Sequence, residues 1–332
     1  MAAPIHVLDI AQVGIEATRG TLVPATSILD NDPGGVIVKR DPNIIRIRSA
    51  GSLATSHRSY PGRDHVEIDV SGTWTYNWAP WWFNLFLGPL ATGTGAGADK
   101  LWTFGSAVVS DIADNLKAAS FEVSGRDTRP GEYKIAGCVG VSLALSIKQD
   151  RAWTYKAKLL GTVLTIAAKT GALTPVSSIM DVLGTTTKVY LNGTGSAFGA
   201  TPLAGTVISA DIEVKIGTNE RFTLDAQRNP YRVAVTEARD ISAKIEMEYD
   251  AQTTYSAVHA ATPQRLRIEA VGPTLGGSTY KCNLDIPGAF DSLEFGDDAG
   301  VVTQVLALGA QYDATPVADI NGAVTNGAAA LP

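Results

Sequence analysis

"GCVGVSLALSIKQDRAWTYKAKLLG" occupies Gly137–Gly161. Apolar residues alternate on both sides of a charged turn, Lys148–Arg151, a period of two that predicts an antiparallel hairpin and not a helix. Upstream, "FEVSGRDTRPGEYKIAG" adds a further strand and turn. The passage has a counterpart near the other end of the chain, "IEAVGPTLGGSTYKCNLDIPGAFDSLEFGDDAGVVTQVLALG". Glu122 matches Glu269 and Tyr133 matches Tyr280 at one offset, 147 (269 − 122; 280 − 133). Further back, "DVSGTWTYN" (Asp69–Asn77) is set against "DISAKIEMEYD" (Asp240–Asp250), and each precedes a short helical candidate, "APWWFNLFLG" or "AQTTYSAVHAA". A unit of this length is too long for a solenoid turn or a propeller blade, so it predicts two similar β domains in tandem. Equivalent edges on the two would favour a closed ring whose pseudo-symmetry is twice its subunit number.

The rest of the chain agrees with a mainly β reading. Hydrophobic residues make up 45% and charged residues 18% of 332, which excludes a disordered chain, while 33 glycines and 16 prolines supply turns for many short strands. A net charge of -6 disfavours a protein that grips nucleic acid through its phosphates. Cys138 and Cys282 are too few for a disulfide framework and read as buried thiols. No apolar run approaches the roughly 18 residues of a membrane span, and the N-terminus lacks a leader pattern, so no membrane contact is expected.

Along the chain, a first domain over 1–165 begins with a long arm, about 19–63, crossed by the strand "IIRIR". "HVEIDVSGTWTYN" places Val66, Ile68 and Val70 on one face, with Gly72 marking a bulge or a close approach. Pro80 and the pair Gly88-Pro89 bound a helix of about three turns that carries Trp81, Trp82, Phe83 and Phe86; apolar nearly all round, it must be buried. A Thr/Ala/Gly/Ser-rich stretch, 166–205, reads as a boundary, and a second domain covers 206–332.

No catalytic, cofactor or metal constellation emerges. His57, Asp64 and His65 lack a fixed further ligand partner. Asp30–Asp32 and "GDDAG" (Gly296–Gly300) lack the ligand spacing of a calcium loop, and "GTGAG" (Gly93–Gly97) lacks the Lys-Ser/Thr of a phosphate cradle. The cluster Trp74, Tyr76, Trp78, Trp81, Trp82, Phe83 and Phe86 could bind sugars, but aromatic density on a strand–helix pair reads better as core or subunit interface.

Four passages in order, "GIEATRGTLVPATSIL", "GSLATSHRSYPGRDHVEIDVSGTWTYNWAPWWFNLFLG", "FEVSGRDTRPGEYKIAGCVGVSLALSIKQDRAWTYKAKLLG" and "TKVYLNGTGSAFGATPLAGTVISADIEV", resemble the major tail tube proteins of long-tailed, non-contractile bacteriophages. The resemblance spans about Val13 to Tyr312. It implies β-sandwich or barrel domains, each with a short flanking helix, that join into a β-lined ring. With two domains fused, it implies a homotrimer of apparent sixfold symmetry, in rings stacked through long arms, with double-stranded DNA passing down the lumen without specific binding. The arms would be Arg19–Arg63 and the boundary segment. The turns carrying Lys148, Asp150, Arg151, Asp297 and Asp298 would face the lumen, and the Trp81/Trp82/Phe83/Phe86 helix would pack outside its barrel or on the adjacent subunit. Implied partners are the tape measure protein and the tail terminator and tail tip proteins, in a virion assembled in the host bacterial cytoplasm. The alternatives are a virion-associated carbohydrate-binding or adhesion protein and another tail-end ring.

Overall fold

In a computed structural model of the chain, the described residues are 9–48, 50, 55–88, 93–95, 99–105, 117–125, 132–203, 205–249, 258–298, 300–314, 318–328 and 330–331. The expected helix after Asp250 lies mostly outside them. Strands dominate. The first half supplies β1 (Asp9–Ile15), β2 (Ser27–Ile28), β3 (Val36–Asp41), β4 (Ile44–Ile47), β5 (Arg58–Pro61) and β6 (His65–Thr73). Helix α1 (Ala79–Phe86) follows, then β7 (Lys100–Gly105), β8 (Ala119–Gly125), β9 (Tyr133–Lys148), β10 (Thr154–Gly161) and β11 (Val163–Ile166). The second half supplies β12 (Thr187–Gly193), β13 (Val207–Lys215), β14 (Thr218–Arg221), β15 (Arg232–Val235), β16 (Asp240–Glu248), β17 (Gln264–Leu275), β18 (Ser278–Asp298), β19 (Val301–Ala310) and β20 (Asn321–Asn326).

The opening stretch forms the expected hairpin, with Ala157 of β10 opposite Leu143 of β9. Its surroundings recur as a pairing order. The first half pairs β1-β8-β9-β10-β6-β3 and the second β12-β17-β18-β19-β16-β13, every neighbour antiparallel. By chain position both read first, fourth, fifth, sixth, third, second. The detail recurs as well. Val141 of β9 is an extra residue opposite Lys158/Leu159, and Asp291 of β18 is an extra residue opposite Ala307/Leu308. The ion pair Glu122–Lys134 (2.9 Å) is repeated as Glu269–Lys281 (2.7 Å), each partner displaced by the same 147 positions (269 − 122; 281 − 134).

All these strands belong to one open sheet, with β1 and β8 branching from β9, because β13 of the second set pairs with the latter part of β9 in the first. The alternation in β6, β10, β13 and β16 decides which face is core. Val66, Ile68, Val70, Tyr155, Ala157, Ile212, Val214, Ile241, Ala243 and Ile245 are all buried, and the residues between them are polar. Gly72 is a close approach and not a bulge: its pairing with Tyr155 is regular, and a Cβ there would stand 3.0 Å from the Tyr155 ring.

Helix α1 fills the space beneath this apolar face. It is eight residues long, shorter than the expected three turns, because the chain leaves helical geometry at Gly88, whose φ of 137° suits glycine. Pro80 sits in its first turn, where no backbone N–H is required. Trp82 packs on Tyr155 (4.8 Å between ring centroids), Trp81 on Phe121 (5.9 Å) and Phe83 on Phe104 of β7 (5.7 Å). Phe86 lies where a Cβ on Gly140 would be, 2.7 Å away. The helix therefore touches both halves, since β7 pairs with β20, and β20 with β18. Asn326 closes that joint, accepting from Trp102 Nε1 (2.9 Å) and donating to the Tyr76 carbonyl (2.8 Å).

Candidate assembly interface

The second face of the sheet is polar and continuous across both halves. Ile37 and Lys39 of β3, Glu67, Asp69 and Ser71 of β6, Lys156 and Lys158 of β10, Ser142 and Ala144 of β9, Asp211 and Glu213 of β13, and Ser242 and Lys244 of β16 follow one another across the register. Its charges are interleaved. Glu67 accepts from Lys39 (3.0 Å) and Lys158 (2.6 Å), and Lys39 also reaches Asp69. Burial would raise the Glu67 carboxyl, but hydrogen bonds from Lys158 and Lys39 outweigh it and hold the group below the usual carboxylate range. Hydrogen bonds to Asp69 and Glu67 push Lys39 up to about 12. Two open hollows of about 300 and 560 Å³ lie on this face, bordered by Asp69, Lys156, Lys158, Asp211, Glu213 and Lys244; its solvated, mixed charges suit contact with water.

Two sheet edges lie open at the ends of this face. β3 pairs with β6 alone, and β18 beyond Phe290 pairs with β19 alone, among the described residues. Both carry apolar side chains in solvent: Ile37 is 52% and Phe295 57% exposed. Unpaired edges of this length invite further strands.

Two hairpins stand at one end. β4–β5 is inserted between β3 and β6, and β14–β15 between β13 and β16, the equivalent place in the repeat. They are fastened to each other. Arg63 lies over the Phe222 ring (4.7 Å), Arg228 Nε donates to the Gly62 carbonyl (2.8 Å) and the Asp64 N–H to the Arg228 carbonyl (2.9 Å). The Arg40 guanidinium holds Asp64 below its usual range, and His65 Nδ1 lies 2.8 Å from Glu220. Ile44, Ile45, Tyr60, Leu224 and Tyr231 remain exposed on the pair.

The residues singled out in the sequence fall as follows. Trp81, Trp82, Phe83 and Phe86 are all 0% exposed, so they are core within one chain and have no surface to give an adjacent subunit. The same burial takes Trp74, Tyr76 and Trp78 out of reach of a sugar. Lys148, Asp150 and Arg151 are exposed at the β9–β10 turn, where Arg151 pairs with Asp150 (3.1 Å). Asp297 accepts from the Gly300 N–H (3.0 Å) to shape the β18–β19 turn; the Asp298 side chain is outside the described residues. Asp64 and His65 are engaged by Arg40 and Glu220, and no group of three or more metal-ligating side chains occurs among the described residues. Cys138 and Cys282 are buried and free, and burial pushes the Cys282 thiol up to about 12. Ala96 and Gly97 of "GTGAG" lie outside the described residues.

Sequence reasoning missed the edge strand β3, taken for part of a loop, and the β14–β15 hairpin. Of the boundary stretch 166–205, residues 187–193 form β12, paired with β17. The alignment of Asp69 with Asp240 was displaced. Asp69 faces Lys158 and Lys244 faces Ala307, each beside its bulge, so Lys244 is the counterpart of Asp69. A shift by four leaves alternation intact, and period alone cannot detect it. Carrying the corrected register upstream would have brought out both hairpins as one repeated insertion.

The family model for phage tail tube proteins matches residues 10–327. No curated protein matches. Among solved structures, the SPP1 tail tube, determined by solid-state NMR with cryo-EM, is 15% identical, over 45% of this chain and 81% of its own, with a TM-score of 0.32. A superposition this loose fixes no strand correspondence. No described helix is long and apolar enough to cross a membrane.

Proposed function

This chain belongs to the phage tail tube protein family, structural components of the virion and not enzymes, and from that premise we propose that three copies close into a ring and that rings stack into the hollow tail tube through which the genome leaves. The observation that carries the reading is the repeated strand order with its shared face: each chain supplies two equivalent units to one sheet. Three such chains give apparent sixfold symmetry, and each unit is a tail-tube-type domain.

The polar face of that sheet lines the lumen in this reading, with the apolar face and α1 outside. Interleaved Lys and Asp/Glu side chains, on a chain of net charge -6, let DNA slide past without a phosphate grip. The lining is then the strands themselves, and the turns carrying Lys148, Asp150, Arg151, Asp297 and Asp298 mark its rim. The fastened hairpins β4–β5 and β14–β15 replace the broader arm Arg19–Arg63 and the boundary segment as the contact between successive rings. Tape measure and terminator or tip proteins are the partners inside and at the ends of the tube, and assembly takes place in the host cytoplasm.

Sedimentation of the purified chain over a concentration series tests this. Growth from monomer or trimer to large particles supports the proposal, and a small oligomer of fixed size at every concentration removes it and brings the adhesion protein forward.

A further inference from the structure

The two halves of one chain are joined by a seam that their repetition leaves half used. Inside the chain, β13 runs against β9, with Ser209 opposite Lys148, Asp211 opposite Ser146 and Lys215 opposite Ser142. β13 is the counterpart of β3, and β9 of β18. The equivalent seam would join β3 to the part of β18 beyond its bulge, the two edges left open on the polar face.

We infer that β3 of one copy pairs antiparallel with Ser292–Asp297 of the next copy, in the register of the internal seam; this rests on the ring reading above. The bulge residues Val141 and Asp291 anchor the correspondence, and Ser146 and Gly296 lie equally far past them. Asp69 and its counterpart Lys244 face Ile37 and Asp211 respectively, so Ile37 corresponds to Asp211 and faces Gly296. Val38 then faces Phe295, and Lys39 faces Glu294.

Two independent features fit that register. The internal counterparts of Val38 and Phe295 are Ile212 and Leu145, which are 2% and 3% exposed, whereas Phe295 is 57% exposed in the single chain. Pairing therefore covers a large apolar side chain as its counterpart is already covered. Lys39 and Glu294 bring opposite charges directly across the seam, the favourable arrangement for facing residues on neighbouring strands.

The test is disulfide trapping in assembled full-length protein. Val38→Cys with Phe295→Cys, and Lys39→Cys with Glu294→Cys, place facing positions about 4.5–5.5 Å apart at Cα, within reach of a disulfide. Cys138 and Cys282 are buried and do not compete. Mild oxidation is expected to give covalent dimers and trimers on non-reducing denaturing gels from at least one pair. The displaced pair Ile37→Cys with Glu294→Cys is expected to give none. Glu294→Lys sets like charges face to face at an exposed position. It should leave the thermal melt unchanged while raising the concentration needed for rings about two- to five-fold. Rings that link through neither facing pair, or through the displaced pair, or that ignore Glu294→Lys, overturn the seam while leaving the tube reading intact. Absence of any ring from the unmodified chain overturns both.

Discussion

Gly140 and Asp64 show how much of this molecule depends on single contacts. Gly140 leaves room for the Phe86 ring at the point where α1 meets β9, and a methyl group there would lie 2.7 Å from a ring carbon. Gly140→Ala is expected to destabilise the chain by about 1–3 kcal/mol, the usual penalty of overpacking, read as a lowered melting temperature. Asp64 has a buried side chain hydrogen-bonded by Arg40, which depresses its pKa from 3.8. A depressed carboxyl contributes stability that is present above its unfolded pKa and is lost as pH falls through the folded one. Asp64→Asn should therefore cost about 1–3 kcal/mol near neutrality, and the gap from the unmodified chain should narrow below about pH 4. Denaturant melts across that range check it. A gap that stays constant with pH would mean the pair contributes no charge-dependent stability.

At the scale of elements, what the sequence made legible follows from periodicity. The β9–β10 hairpin and the Val66/Ile68/Val70 face were readable because one buried face imposes strict alternation. β3 was not, since an edge strand with one partner carries charged and exposed residues after Val36, and "KRD" within a Pro/Gly-rich stretch reads as loop. The role of the aromatic helix was half readable: its burial followed from composition, but only tertiary structure could show that its own chain supplies the cover. The open edges were not legible, because edge status is a property of the whole sheet. The paired hairpins β4–β5 and β14–β15 carry a prediction of their own. Ile45 is 52% exposed and Leu224 wholly exposed, so Ile45→Asp or Leu224→Asp should change stability by no more than about 0.5 kcal/mol. If these tips join successive rings, both variants should still form single rings but few long tubes in sedimentation and electron micrographs. Long tubes of normal yield from both would remove the hairpins from the stacking contact.

At the scale of the whole molecule, repetition links sequence to assembly. One chain contains two sets of strands in the same order, a polar face common to both and a seam between them at β9–β13, with open edges at β3 and on β18 beyond Phe290. A closed ring pairs both of these edges at once and so removes two templates for uncontrolled aggregation. The interleaved charges of the polar face and the net charge of -6 suit the proposed conduit better than a gripping site. The most direct measurement is electron microscopy of the purified full-length protein at rising concentration, with averaging of end-on views. Hollow rings of threefold symmetry, resembling sixfold at low resolution and stacking into tubes, are the predicted result. Compact particles without a central channel at every concentration would contradict it.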